Sequence, residues 1–425
     1  MKIYDKMFIS KYKDVIMKRP EILSPAGNFE KMRAAILYGA DAVYLSGQIF
    51  GMRAAADNFS LEELREAVTY AHERGVKVYL TVNTMPRENE YSLLKDYFSA
   101  LRDIKPDALI IADIGVLMLA REMLPDIDIH ISTQANSVSA ADCLAWYSLG
   151  AKRVVLAREL TLEEIKAIKA NIPSELEIEC FIHGSMCVSY SGRCLLSGQI
   201  VGRDANRGMC AQPCRWNYTV RGYEIAEEKR PDAPLPIEEI NGETFIMASR
   251  DTCTIEHIPE LVEAGIDSFK IEGRMKSAYY TAVVTNTYKM ALDSYFSGEY
   301  KYDPLWYREL ESVSHRDYAT GYYFADSHLD ANLSSTTGYI KDKAYLAVAA
   351  SYNAESGEVL FTQRNKMCRG DKVELLTPGK VGVAFTAGEL FDENHTPIEA
   401  TSHPYMKFYM KVPYEVKPGD IIRIS

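Results

Sequence analysis

The fold of this chain is constrained most by a repeated alternation of short β-rich runs with amphipathic helical stretches over its first two-thirds. Helical patterns such as Leu61–Arg74 lie between most of these runs, and several end at a glycine, the residue expected to cap a helix C-terminus: Gly39, Gly75, Gly150 and Gly265. The repeated order strand, helix, strand predicts a parallel sheet covered by helices. The candidate strands are Glu21–Leu23, Ala42–Leu45, Lys77–Thr81, Ala108–Ile111, Asp128–Ser132, Arg153–Leu156, Glu177–Phe181, Phe245–Ala248 and Ser268–Ile271.

Polar residues after nearly every candidate strand favour a closed barrel over an open sheet. In a (β/α)₈ barrel all strands deliver such residues to one mouth, whereas an open sheet concentrates them at one switch point. No GxGxxG follows the first strand, which disfavours a dinucleotide-binding sheet. We therefore predict a (β/α)₈ TIM-type barrel in which one of the nine candidate strands has no place. The strand-end residues include Ser24, Ser46, Asn83, Asp113, Ser132, Gln134, Arg158, Glu159, His183, Glu272 and Arg274.

The barrel pattern is interrupted once and then ends. A cysteine-rich insertion is predicted at about 182–244, with a hairpin around Trp216–Ile225, and the helix Ala278–Tyr295 is expected to close the barrel. Near residue 335 short alternating strands begin, so we predict a catalytic domain at 1–335 and a small all-β barrel of five or six strands at 336–425. Its candidate strands are Tyr345–Ala349, Val359–Gln363, Lys372–Leu376, Met406–Val412 and Ile421–Ile424.

Composition excludes some classes of protein. The net charge of −11 rules out a strongly basic nucleic-acid binder, but residues 336–425 hold 11 basic and 11 acidic residues, so this end would repel a polyanion least. The apolar runs are shorter than the roughly 18–20 residues that span a bilayer. Met1–Lys18 has no continuous apolar stretch of a secretory signal. We therefore expect a cytoplasmic protein with no membrane segment.

Five of the eight cysteines fall between positions 180 and 214, which in a reducing compartment favours metal binding or catalysis over disulfides. Cys187 and Cys194 enclose six residues, Cys210 and Cys214 enclose three, and fifteen residues separate the two pairs. Four thiolates at irregular spacing favour an iron–sulfur cluster over a Cys₄ zinc site. Cys253, at a predicted strand end, is a reserve ligand. The alternative is a set of buried, reduced cysteines, which explains Cys143 and Cys180 better.

The run from Glu179 to Ser197, which contains His183-Gly-Ser-Met-Cys187 and Ser191-Gly-Arg-Cys194, resembles the signature of peptidase family U32, the collagenase-like proteases. Leu23-Ser-Pro-Ala-Gly27, Ala42-Val-Tyr-Leu45, Thr81-Val-Asn83, Asn206-Arg-Gly-Met-Cys210 and Lys270-Ile-Glu-Gly-Arg274 fit the same family. The resemblance covers about Glu21 to about Lys276, and the terminal β region is similar to the family's C-terminal domain.

The resemblance implies a hydroxylase rather than a peptidase. Members of the family carry a [4Fe-4S] cluster and insert a hydroxyl group without O₂, with prephenate as the apparent oxygen source. Different branches act on tRNA, ribosomal RNA or the ubiquinone ring. This sequence is most similar to the branch that converts the tRNA wobble uridine to 5-hydroxyuridine. The implied cluster ligands are Cys187, Cys194, Cys210 and Cys214, with Cys253 as the substitute for the last, and a second U32-family protein is an implied candidate partner.

A hydroxylase of this kind needs an anion pocket, because prephenate is a dicarboxylate and guanidinium groups bind carboxylates well. The candidate anion-binding residues are Arg193, Arg203, Arg215 and Arg274. His183, Glu272 and Arg274 are the candidate catalytic residues, and Asn83, Gln134 and Glu159 are candidates for lining the pocket. Each has an ordinary alternative role: a solvated surface arginine, a loop cap, or a histidine that caps a strand.

Binding of a single-stranded or flipped base would need aromatic partners, for which Tyr190 and Trp216 are candidates, although core packing is commoner. The stretch Lys366–Arg369 and Lys407, Lys411 and Lys417 are candidates for gripping RNA backbone, and lysines also protect exposed strand edges.

Two rival functions stay open. The first is a U32-type peptidase, but the chain has no HExxH and no G-x-S-x-G motif, and a Cys187–His183 dyad would compete with the cluster. The second is a non-catalytic RNA-binding protein with a structural Cys₄ zinc.

Overall fold

Eight parallel strands close into a barrel. The computed structural model describes residues 18–53, 57–187, 189–194, 196–215, 225–227, 230–235, 238–240, 243–245, 249–325, 340 and 343–425. Each barrel strand pairs with the next in chain order, and β13 pairs with both β1 and β7, which closes the ring. The predicted TIM-type barrel is confirmed. Its strands are β1 (Glu21–Pro25), β2 (Ala42–Ser46), β3 (Lys77–Val82), β4 (Ala108–Ile111), β5 (Asp128–Ile131), β6 (Arg153–Val155), β7 (Glu177–Ser185) and β13 (Ser268–Ile271).

Most helices between the strands begin at polar caps and are followed by a left-handed residue. Ser60 and Thr161 each form a capping box with the glutamate three residues on. The four glycines predicted to follow helices all have positive φ, between 70° and 101°. The helices are α1 (Phe29–Leu37), α2 (Leu61–His72), α3 (Tyr91–Ile104), α4 (Ile114–Met123), α5 (Ala140–Ser148), α6 (Leu162–Ala170), α7 (Leu196–Val201), α8 (Ile258–Glu263), α9 (Ala278–Phe296) and α10 (Pro304–Glu311).

The interior of the barrel is divided between apolar and charged side chains. Alternate residues of each strand point outward and pack with the helices in one large core, which includes Ile22, Val43 and Val78. The inward residues of β1 to β4 form a separate small apolar cluster. The inward residues of β6, β7 and β13 are instead charged, among them Arg153 and Glu179.

The long insertion follows β7. It contains α7 and single turns at Ala205–Arg207 and Pro213–Arg215, followed by two hairpins formed by β8 (Ile225–Glu227) with β9 (Arg230–Leu235) and β10 (Glu238–Ile240) with β11 (Glu243–Phe245). The chain returns through β12 (Asp251–Cys253), antiparallel to β7. Of the ninth predicted strand, Phe245–Ala248, Phe245 ends the hairpin strand β11, and residues 246–248 lie outside the described residues. Most of the hairpin predicted at Trp216–Ile225 is also outside them.

The C-terminal region is an antiparallel half-barrel, in which the five predicted strands are present. The all-β prediction is confirmed, but eight strands form the sheet rather than five or six. The additional strands β18, β19 and β20 are short and lie at the edges of the sheet. The order is β18-β17-β22-β15-β16-β21-β19-β20. These strands are β15 (Tyr345–Asn353), β16 (Glu358–Gln363), β17 (Lys372–Leu376), β18 (Val383–Thr386), β19 (Leu390–Phe391), β20 (Pro397–Ile398), β21 (Lys407–Lys411) and β22 (Ile421–Ile424).

The half-barrel packs beside α1, α9 and α10 through polar contacts. Arg423 of β22 is 1% exposed and pairs with Glu309 of α10 at 2.6 Å. The Asn286 side chain of α9 accepts a hydrogen bond from the Gly379 amide (2.7 Å), and Arg364 pairs with Glu30 of α1 at 2.7 Å. Within the described residues, no helix is both long and apolar enough to cross a bilayer.

Candidate active site at the barrel mouth

A cavity lies at the carboxyl ends of the barrel strands, where a (β/α)₈ barrel places its reactive groups. Six of the strand-end residues predicted for the mouth line it together: Asn83, Ser132, Gln134, Arg158, Glu272 and Arg274. The complete lining is Tyr44, Met52, Arg53, Thr81, Asn83, Ile110, Ser132, Thr133, Gln134, Arg158, Phe181, Lys270, Glu272 and Arg274.

Glu272 is the anionic group of the cavity. Arg53 approaches it at 3.4 Å, and the Tyr44 hydroxyl lies 3.1 Å from its Oε2. Burial acts to raise the pKa of Glu272, but Arg53, Arg274, Arg158 and the bond from Tyr44 outweigh burial, so the pKa lies below the usual glutamate value. Glu272 is therefore a carboxylate at neutral pH, able to accept a hydrogen bond or a proton from a ligand.

Arg274 is a buried cation at the same site. It is 3% exposed, and its Nη1 lies 3.5 Å from Oγ1 of Thr81. Burial lowers the pKa of Arg274 to about 10, which still leaves the guanidinium protonated at pH 7. A buried guanidinium fork with one long contact to protein is suited to bind a carboxylate.

Arg53 and Lys270 were not predicted as site residues, and Arg158 was predicted only as a strand-end residue of the mouth. Arg158 donates to the Ser185 carbonyl at 3.0 Å and lies over the Phe181 ring, while Lys270 pairs with Glu179 at 2.6 Å. The lining residues thus include four cationic side chains and one carboxylate, so the cavity favours a small anionic ligand.

The amide residues connect neighbouring loops. The Asn83 side chain accepts from the Met52 amide and donates to Ser132 Oγ, both at 3.2 Å. These bonds fix the ends of β3 and the following loops around the cavity, so Asn83 combines the pocket-lining role and the loop-capping role considered for it. Gln134 lies in the single turn Thr133–Ala135 and is half-buried.

The cysteine-rich segment is fastened across this mouth. The Glu159 carboxylate accepts from the Ser191 amide at 2.9 Å, and Arg207 forms two bonds to Glu90 at 2.7 and 2.9 Å. A Cβ at Gly192 would lie 2.2 Å from the Gln134 carbonyl, so the segment approaches the loop backbone where only glycine fits. Glu159 does not line the cavity and instead anchors this segment.

The four predicted ligand cysteines, Cys187, Cys194, Cys210 and Cys214, belong to this fastened segment and are all reduced and half-buried. Thiolate sulfurs from one glycine-bearing segment are the donor set that iron–sulfur clusters use. Within the described residues, no three His, Cys, Asp or Glu side chains are grouped as metal ligands. The four thiols therefore fit a cluster in donor chemistry, but the described residues do not bring three of them together, so their side chains would have to gather as a cluster binds.

Cys253 is placed differently from these four. It lies on β12, 7% exposed, and burial raises the pKa of its thiol to about 12. Its thiol packs in the apolar core, where the Tyr288 hydroxyl lies 3.9 Å from the sulfur, and not on the segment that carries the other four cysteines.

His183 does not line the cavity. A register shift between β7 and β13 turns it toward α9, where it is 1% exposed among Tyr280, Tyr288 and Tyr318. The two tyrosine hydroxyls of Tyr288 and Tyr318 lie 3.4 and 3.5 Å from its ring nitrogens. Burial, followed by the charges of His315 and Lys276, lowers the pKa of His183 to about 3, so the ring is neutral at pH 7.

The remaining predicted arginines lie outside the cavity lining. Arg193 and Arg203 are exposed on the segment that carries the cysteines, and only the backbone of Arg215 is described. Among the candidate stacking residues, Tyr190 is 48% exposed and Trp216 is outside the described residues.

Residues 27–332 match peptidase family U32, and residues 341–423 match the peptidase family U32 C-terminal domain. This chain belongs to peptidase family U32. It is 36% identical over 417 residues to tRNA hydroxylation protein P1 of Bacillus subtilis, covering 97% of this chain and 96% of that protein. Among other U32 relatives, it is 32% identical over 413 residues to a collagenase of Porphyromonas gingivalis, covering 94% of this chain and 96% of that protein.

A third relative is named for the modification of ribosomal RNA. The chain is 38% identical over 279 residues to the 23S rRNA 5-hydroxycytidine C2501 synthase of Escherichia coli, covering 65% of this chain and 40% of that protein. Both the family and the expected similarity to the tRNA-hydroxylating branch are confirmed by these matches.

Proposed function

We propose that this chain is an O₂-independent RNA hydroxylase that forms 5-hydroxyuridine at the tRNA wobble position, with prephenate as the oxygen donor. The observation that carries the proposal is the cation-lined cavity at the barrel mouth, covered by the segment that bears four reduced cysteines. The similarity to the tRNA hydroxylation protein of Bacillus subtilis and to the 23S rRNA 5-hydroxycytidine synthase of Escherichia coli supports hydroxylation of RNA as the reaction class.

The cavity residues would bind and orient the anionic donor. Arg274, Arg53 and Arg158 would hold its carboxylates, because guanidinium groups pair with carboxylates through two parallel bonds. The ionised Glu272 would accept a proton or a hydrogen bond from the reacting hydroxyl group. Asn83 and Gln134 would orient polar atoms of the ligand through their amide groups.

Cys187, Cys194, Cys210 and Cys214 would hold a [4Fe-4S] cluster, which supplies electron transfer when bound. Cys253 is the weaker candidate for the fourth ligand because its thiol is buried in the apolar core against Tyr288. Arg193, Arg203 and Arg215 lie along the same segment, where they would attract the phosphates of an incoming RNA.

The half-barrel would hold the body of the RNA. Its exposed lysines and arginines offer phosphate contacts, and the polar joint to α1, α9 and α10 fixes the half-barrel relative to the barrel. The proposed contact residues are Lys366, Arg369, Lys407, Lys411 and Lys417.

Nucleoside mass spectrometry of tRNA from a deletion strain tests the proposed function. We expect 5-hydroxyuridine derivatives to disappear in the deletion, to return with the wild-type protein, and to stay absent with Cys194→Ala. Cys143→Ala is the matched control, because Cys143 is fully buried in α5, away from the segment, and should support the modification. Unchanged 5-hydroxyuridine in the deletion would exclude this substrate.

The collagenase relative keeps peptidase chemistry as a second candidate. A Cys187–His183 dyad has little support from geometry, since the ring nitrogens of His183 face Tyr288 and Tyr318. Hydrolysis of casein or gelatin by the purified protein that survives replacement of Cys187 and Cys194 would favour a peptidase without a cluster.

A further inference from the structure

Lys270 is a buried cation on the floor of the cavity. On β13 it points into the barrel, two residues after Ser268 and two before Glu272, and it is 4% exposed. Buried lysines are rare unless they are paired or functional. Lys270 both pairs with a carboxylate and lines the cavity.

The ammonium group of Lys270 is held from below. Its Nζ donates to Glu179 Oε1 at 2.6 Å, and Glu179 is completely buried. The second oxygen of Glu179 accepts from Arg153 at 3.1 Å, and Arg153 also pairs with Glu21 at 2.7 Å and Glu177 at 2.6 Å. This arrangement fixes the lysine nitrogen in one position.

The upper side of the Lys270 ammonium faces the cavity. An ammonium group has three N–H donors, and in the described part of the chain the Lys270 ammonium donates to one acceptor, Glu179. The nitrogen also lies 4.6 Å from the Tyr44 ring centre and 5.3 Å from the Phe181 ring centre, both of which line the cavity. A cation between two aromatic rings leaves its remaining donors for a ligand.

The ion pair with Glu179 also determines what chemistry Lys270 can perform. A lysine that forms a Schiff base attacks with a free lone pair on nitrogen, whereas the Lys270 nitrogen is held in an ion pair with Glu179 at 2.6 Å. Lys270 is therefore suited to bind a negative charge and not to attack a carbonyl group.

We propose that Lys270 touches the ligand and selects for a second negative charge, so that the cavity prefers a small dicarboxylate to a monocarboxylate. Glu179 and Arg153 are positioning residues that act through Lys270. This inference rests on the proposed function for the identity of the ligand, and it adds the residue that distinguishes a dianion from a monoanion.

Calorimetric titration of the full-length protein with prephenate and with phenylpyruvate tests the inference, because the first carries two carboxylates and the second carries one. The wild-type protein should bind prephenate more tightly. Lys270→Met should weaken prephenate binding about tenfold or more, the loss expected for one charge-assisted bond, and phenylpyruvate binding less than about threefold. Lys270→Arg, which keeps the charge, should keep the preference.

Lys276→Met is the matched control. Lys276 lies beyond the cavity, where it donates to the Ser314 carbonyl at 2.8 Å, so its loss should leave the preference for prephenate intact. Glu179→Gln removes the carboxylate beneath Lys270 without removing Lys270, and it should reduce the preference without abolishing binding of phenylpyruvate. A role of Glu179 in folding alone would lower the affinity for both probes equally.

Two results would overturn the inference. One is equal affinity of the wild-type protein for both probes, or an unchanged preference in Lys270→Met. The other is a covalent adduct on Lys270 after phenylpyruvate and borohydride treatment, which would identify a neutral amine. Because these titrations need no RNA, they are independent of the tRNA analysis, and a failure of the proposed RNA substrate would leave the binding result interpretable.

Discussion

Two buried arginines organise the two halves of this protein, and they do so differently. Arg423, at the joint between barrel and half-barrel, contacts Glu309, Glu374 and Ser312, and its side chain is 2% exposed. Arg153, inside the barrel, contacts three glutamates. The joint network adds Lys343 and Arg308 on Glu374, which makes three cations and two carboxylates among the described residues, whereas the barrel network continues through Glu179 to Lys270 at the cavity.

This difference between the two networks indicates that the network at the joint contributes only to stability. A network between two packed domains holds them together, and the loss of one partner leaves charges buried without compensation. A network that ends at a cavity also fixes the position of a ligand-binding group. Substitutions at the joint should therefore change stability without changing ligand preference, while substitutions in the barrel should change both.

The largest expected effect is at the joint. Arg423→Met leaves Glu309 and Glu374 buried beside each other, 7% and 6% exposed, and should destabilise the protein by about 3–5 kcal/mol. Urea unfolding followed by circular dichroism measures the change.

Arg369→Met is the control for Arg423→Met, because Arg369 is 54% exposed and lies 3.8 Å from Glu389. Its loss should cost about 0–1 kcal/mol. Equal effects of the two substitutions would contradict the assignment of the joint as a buried ion network.

The barrel network should give a smaller effect on stability and an additional effect on ligand binding. Arg153→Met leaves three carboxylates with Lys270 and the exposed Lys18, and Glu177 is 28% exposed and Glu21 is 14% exposed, so water screens part of the repulsion. We expect a loss of about 2 kcal/mol in urea unfolding at pH 7, together with a reduced preference for prephenate over phenylpyruvate.

The pKa of Glu177 determines how the free energy of unfolding changes as the pH is lowered. Burial acts to raise the pKa of Glu177, but Arg153 and Lys18 outweigh it and lower the pKa to about 2. A carboxylate with a lowered pKa stabilises the fold above its ordinary pKa, and this stabilisation is lost as pH falls toward 2. Arg153→Met should flatten this part of the pH–stability profile, and a profile unchanged from wild type would contradict the network.

The sequence predicted several residues at the mouth of the cavity, but not the charged residues Lys270 and Arg153 beneath it. Asn83, Gln134, Glu272 and Arg274 converge as predicted, because the carboxyl ends of parallel barrel strands meet at one opening. Arg53 was missed because it follows Gly51 and Met52 in a loop, where no periodic pattern marks it.

Lys270 and Arg153 were missed for a different reason. Both belong to strands, whereas only residues at the ends of strands were predicted to contribute to the site. A signal was present, since Ser268, Lys270 and Glu272 are polar at every second position of a strand that otherwise reads as buried. His183 could not have been placed, because the register shift between β7 and β13 that turns it away from the cavity has no sequence pattern of its own.

The smallest expected effect concerns His183, an uncharged buried group that contrasts with both networks. Its pKa of about 3 lies below the ordinary value of 6.5, so the unfolded chain binds the proton first as pH falls. The contribution of neutral His183 to the free energy of unfolding is therefore complete above about pH 6.5 and is lost as the pH falls toward 3. The free energy of unfolding changes by at most about 1.4 kcal/mol per pH unit through this group. His183→Gln, which can still bond to Tyr288 and Tyr318, should make the unfolding free energy less dependent on pH between 6.5 and 4, while the response to acid below pH 4 remains.

His72→Gln is the control, because His72 is 43% exposed and should leave the slope nearly unchanged. A wild-type slope in the His183 variant would mean that the ring is protonated inside its tyrosine surroundings, and the neutral assignment on which its separation from the charged networks depends would be wrong.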